Sequence, residues 1–136
     1  MADDNSTHAG LMASWKGEPE RLLSSDGDVK VYLHKLRTAE FGELWLSYPG
    51  GPILSVLTSG GRGWLMFLRH DDGDSGFSTR NPECAGPEGA MRSFMMNGQQ
   101  DQYPEAFTLS LEQLILAIEH FCTYAERAPW VCWHED

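Results

Sequence analysis

An α+β fold built on an antiparallel sheet is what this sequence predicts, and three observations carry that prediction. Two segments keep apolar residues at helical spacing, one around Val29–Leu36 and one over Leu111–Ala125. Between them, runs of strand-forming residues alternate with Gly-, Pro- and Asp-rich turns, and such short connections imply antiparallel neighbours. A short run flanked by tryptophans, Trp130–Trp133, follows the second helix. The expected architecture is a meander of about five or six strands against two helices, in helix-strands-helix-strand order.

A chain of 136 residues suits one domain with its own core. That domain is assigned to residues 14–136. Residues 1–13 are polar, acidic at their start, and lack the features of a secretory signal. They are expected to be a disordered lead-in, and a cytoplasmic location follows by default.

Taken in order, Trp15–Leu23 contains Glu18-Pro19-Glu20 and is expected to form a short strand or turn. Ser25-Asp26-Gly27-Asp28 offers helix N-caps, with carboxylates at the positive end of the helix dipole. The helix is expected from about Asp28 to about Ala39. Val29, Leu33 and Leu36 would face inward, and Lys30, His34, Lys35 and Arg37 would face water. Three strands are predicted next, Glu43–Tyr48, Ile53–Thr58 and Gly63–Arg69, the third buried on both faces. Turns at Pro49–Pro52 and Ser59–Gly61 join them.

His70–Gly76 reads as another turn, Phe77–Thr79 as a short strand and Asn81–Glu88 as a loop. Met91–Asn97 is expected to be the last strand of the meander, followed by a polar loop, Gly98–Gln102. Tyr103-Pro104 fixes an extended approach to the final helix. That helix is predicted to start at Ser110, with Gln113 completing a capping box. Its buried stripe is Leu111, Leu114, Ile115, Ile118, Cys122 and Ala125, and Pro129 stops it. Trp130–Trp133 is expected as a closing strand with both rings on one face.

The net charge of −10 repels nucleic acid and anionic membrane and favours basic partners. No apolar run approaches the roughly 18 residues that a spanning helix needs. Cys84, Cys122 and Cys132 are odd in number and lack C-x-x-C spacing, which argues against a disulfide framework and a structural zinc site. His34, His120 and His134 form no H-x-x-x-H or H-E-x-x-H pattern, so no metal is expected.

His70-Asp71-Asp72-Gly73-Asp74 has alternating carboxylates but not the remaining positions of a calcium hand. An acid–base pair there would need a cleft to shift its pKa values. Gly60-Gly61-Arg62-Gly63 lacks the phosphate-loop pattern and reads as a hairpin turn. Neither catalytic residues nor a cofactor are assigned. The chain is expected to bind another protein.

Several pieces in order then converge. They are the Leu54–Leu68 strand pair, Gly98 with Tyr103-Pro104, the Leu114, Ala117, Phe121 helix pattern, and the tail Arg127–Glu135. With these pieces the segment Leu54–Glu135 resembles bacterial immunity protein family one, found beside polymorphic and contact-dependent toxins. Ala128, between Arg127 and Pro129, departs from that family's tail. The resemblance implies an α+β antidote, without catalysis, that blocks a toxin domain, often a nuclease or deaminase. A toxin that handles nucleic acid presents a basic surface, which an acidic antidote complements. The expected contacts are Asp71, Asp72 and Asp74 in the turn, then Gln99, Asp101 and Tyr103 in the polar loop. The alternative is a small enzyme or ligand-binding accessory protein of a biosynthetic cluster, with His70, His34 or Cys84 as first candidates.

Overall fold

Cross-strand pairing sets the architecture. The computed structural model describes residues 10–70, 73, 74, 76–79, 91–96, 99–104 and 107–135. In chain order these form β1 (Met12–Trp15), β2 (Arg21–Leu22), α1 (Asp26–Thr38), β3 (Phe41–Ser47), β4 (Ile53–Ser59) and β5 (Arg62–Leu68). There follow β6 (Phe77–Thr79), β7 (Met91–Met96), β8 (Gln99–Pro104), β9 (Leu109–Ser110), α2 (Leu111–Tyr124) and β10 (Trp133–Glu135). The main sheet runs β10-β6-β5-β4-β3-β1-β2, with β9 on the free end of β5, and β7 pairs with β8 separately. Every pairing is antiparallel.

Residues directly opposite one another share a face of a sheet. The rows Leu44–Val56–Leu65 and Leu46–Leu54–Phe67 therefore form one floor. Val29, Leu33 and Leu36 of α1 and Leu114, Ile118 and Phe121 of α2 pack in the same core as these rows. The reverse face carries the row Glu43–Leu57–Trp64. Phe94 of the β7–β8 hairpin is fully buried there with Leu57 and Trp64. The molecule is thus helices, sheet and hairpin in layers. This explains why Ile53–Ser59 is buried along nearly its whole length: it lies central in the sheet and is covered on both sides.

Several expectations need correction. Among the described residues, two strands precede the first helix. Leu11 and Ala13 are core residues and β1 starts at Met12, so ordered structure begins inside the segment read as a lead-in. Its strand character comes from pairing with β3, Met12 opposite Ser47 and Trp15 opposite Leu44, and four residues cannot signal that alone. The polar stretch read as the loop Gly98–Gln102 is largely strand β8. It lacks apolar alternation because its ladder with β7 supplies the hydrogen bonds and Phe94 the apolar contact. The closing strand begins at Trp133 rather than Trp130, and the two rings do not share a face. Trp133 packs against the core, donating from Nε1 to the Ala128 carbonyl at 3.0 Å, while Trp130 is 57% exposed.

The local signals hold. Ser25 caps α1 by accepting from the Asp28 backbone, and the capping box of Ser110 and Gln113 is complete. Gly60 and Gly61 both have positive φ, which suits the two-residue turn between β4 and β5. Leu111 N–H donates to the Gly61 carbonyl, and Arg62 donates to Thr108 through Nε at 2.8 Å. These bonds dock the start of α2 on that turn. The helix ends at Ala125, which adopts φ 57° as its C-cap instead of extending the buried stripe.

Candidate interaction surface

Asp71 and Asp72 lie outside the described residues. Asp74 lies just past β5, and its side chain is only 3% exposed. Arg69 occupies both its oxygens: a guanidinium nitrogen is 2.6 Å from Oδ1, and Nε and the backbone nitrogen donate to Oδ2 at 3.1 and 2.8 Å. These bonds, the side-chain one foremost, hold the Asp74 carboxyl well below the usual carboxylate range. Asp74 therefore fixes the shape of its turn.

Gln99 is exposed on β8, with Nε2 3.4 Å from Asp101 Oδ1. Asp101 is half-buried because it stands opposite Phe94, the hairpin's buried residue. Tyr103 pairs with Arg92. Asp74, the described member of the turn group, stands apart from the hairpin group. The hairpin rests on Trp64 near the start of β5, and Asp74 is tied to Arg69 beyond its end, about 17 Å of strand away.

A surface that the sequence reading passed over lies on α2. Opposite its buried stripe, Leu116 is 56% and Tyr124 63% exposed. His120 sits between them in helical spacing, its ring 4.7 Å from that of Tyr124 and 5.1 Å from that of Trp130. Its Nε2 is 3.1 Å from Glu126 Oε2, and its side chain is 13% exposed. Trp130 thus leans on a largely buried imidazole whose Nε2 also meets Glu126. Glu112 and Glu119 share this face, and α2 contains no Lys or Arg. Leu116 and Tyr124 fall off the buried stripe, and that was the available signal.

Arg69, paired with Asp74, adjoins this end of the molecule. The guanidinium of Arg127, just past α2, lies 3.7 Å from the Phe77 ring centre, and that of Arg69 lies 5.3 Å from it. By contrast, α1 presents Lys30, His34 and Arg37 to solvent.

Two clefts among the described residues are small beside the roughly 300–1,000 Å³ typical of ligand sites. One, of about 210 Å³, lies between the helices and is lined by Asp26, Val29, Lys30, Glu119, Cys122 and Thr123. Burial, and then Glu119 and Asp26, push the Cys122 thiol up to about 12, so it stays protonated and is no nucleophile. The other, of about 260 Å³, lies beside Trp15, Glu43 and Trp45. His34 and His70 are exposed, and Cys84 lies outside the described residues. Among the described residues no group of three or more His, Cys, Asp or Glu is placed to hold a metal ion. No helix there is long and apolar enough to cross a membrane.

Among the described residues, fold and surface together define a small α+β domain with an exposed aromatic patch. The family model for immunity protein Imm1 matches residues 17–135, and the chain belongs to that family. The match extends toward the N-terminus as far as residue 17, beyond the Leu54–Glu135 segment that carried the resemblance. Among curated proteins, none matches the chain.

Proposed function

We propose that this protein is an antidote that binds a cognate toxin domain, a nuclease or a deaminase, and blocks its active site in the cytoplasm. The observation that carries this reading is the family match across residues 17–135. The net charge of −10 supports it. An enzyme acting on nucleic acid needs a basic cleft, and an acidic protein is steered toward such a cleft and competes with the polyanion for it. Asp71 and Asp72, close in sequence to Asp74, are the proposed acidic contacts. Gln99, Asp101 and Tyr103 form a separate candidate contact on the hairpin.

The test is binding and inhibition with the toxin domain encoded beside this chain. A tight one-to-one complex that weakens steeply with added salt, and loss of toxin activity on mixing, are expected. Reversing Asp71 and Asp72 to Lys should slow association more than it speeds dissociation. Normal toxin activity in the presence of excess protein would refute the reading.

A further inference from the structure

We infer that the outer face of α2, with Trp130 set against His120, is the central contact for the toxin domain, and that it receives a basic surface bearing an apolar pocket. The inference rests on the immunity reading and goes further by placing the energetic centre of the complex away from the acidic loops.

Three observations carry it. Leu116, Tyr124 and Trp130 are each more than half exposed, although Leu114, Ile115, Ala117, Ile118, Phe121 and Cys122 of the same helix are buried. Tyr and Trp are the residue types that most often anchor interfaces. The ring of Trp130 is already braced by His120, itself fixed by Glu126, so little side-chain freedom remains to be lost on binding. Finally, the charges carried by the helix are acidic. Glu112 and Glu119 are exposed on the same helix, Glu126 lies just past it, and α2 itself carries no Lys or Arg, although Lys30 of α1 lines the cleft beside Glu119. That arrangement selects a basic partner and opposes the same face of a second copy.

The experiment measures affinity of the full chain for the toxin domain encoded beside it, by interferometry. Trp130→Ala, Tyr124→Ala and Leu116→Asp are compared with Leu22→Ala and Val31→Ala, which alter exposed apolar residues elsewhere. Each patch variant should bind roughly 30-fold more weakly, chiefly through faster dissociation, with the controls unchanged. Thermal melts identify any variant that fails to fold. Tyr124 and Leu116 project from an intact helix, so they carry the test if Trp130→Ala unfolds. Patch variants that bind within about threefold of the parent chain, while the parent binds tightly, would overturn the placement and leave the immunity reading standing. A parent chain that does not bind the toxin domain would overturn both. Sedimentation showing a dimer that the patch variants dissociate, with toxin binding intact, would make a second copy the occupant and also overturn it.

Discussion

The hydroxyl of Tyr48, just past β3, donates to the backbone carbonyl of Cys122 in α2 at 2.6 Å, and its ring packs 5.6 Å from that of Phe121. This bond links residues 74 positions apart and ties the last helix to the central sheet. Tyr48→Phe should cost about 0.5–1.5 kcal/mol, since it removes a hydrogen bond and strands a carbonyl acceptor. Burial, reinforced by Cys122, raises the Tyr48 pKa far above its ordinary value near 10. The native state thus retains a proton that the unfolded chain releases, and stability falls as pH rises above about 10. Denaturant titrations of both proteins between neutral and strongly alkaline pH should show a shallower decline for Tyr48→Phe.

The Arg69–Asp74 pair gives the opposite pH dependence. Because the folded pKa of Asp74 is depressed, the unfolded state binds the extra proton first, and the stabilisation is present above the ordinary carboxylate value of about 3.9. It disappears as pH falls below that value. Urea midpoints of the parent chain should therefore drop more steeply than those of Asp74→Asn on acidification below about pH 4. Equal slopes would show that Arg69 does not hold this carboxylate in solution.

Gly63 lies where β5 meets α2. A Cβ there would run into the Leu57 carbonyl and come within 2.7 Å of Leu114 Cδ1. Gly63→Ala should destabilise the fold by about 1–3 kcal/mol through overpacking. Gly61→Ala is a useful comparison, because a Cβ at Gly61 meets nothing within 4 Å and is penalised only by φ +86°. A melting temperature lowered further in Gly61→Ala than in Gly63→Ala would contradict this packing.

Ser110 caps α2 reciprocally with Gln113: Ser110 Oγ accepts from Gln113 N–H at 3.2 Å, and Gln113 Oε1 accepts from Ser110 N–H at 3.0 Å. Ser110→Ala should cost about 1 kcal/mol. Asp at the same position should restore most of it, because Asp caps comparably. Hydrogen exchange in the first turn of α2 would localise both effects.

What could be read from the sequence follows the range of the interaction involved. The cap at Ser25, the capping box at Ser110, the diglycine turn at Gly60 and the stripe of Leu114, Ile118 and Phe121 depend on neighbours within about four residues, so they were legible. The candidate surface was less so. Asp74 looked like a free charge because nothing in the sequence aligns its carboxylate with both the backbone and the guanidinium of Arg69. Asp101 looked like loop surface because its burial depends on Phe94 across a hairpin of polar composition.

The sequence by itself determined the α+β class, both helices with their buried faces, most of the strands and the acidic character, all consequences of local pattern and composition. Only the tertiary structure decided that β1 completes the sheet, that β7 and β8 cover its reverse face, and that Trp133 turns inward while Trp130 stays in water. Trp133 has the Ala128 carbonyl and the core around Phe67 to receive it. Trp130 has the His120 ring, on the exposed side of a helix whose other side is already filled. Two residues of one type, three apart in the chain, thus take opposite environments because distant elements supply a site for one and a surface for the other.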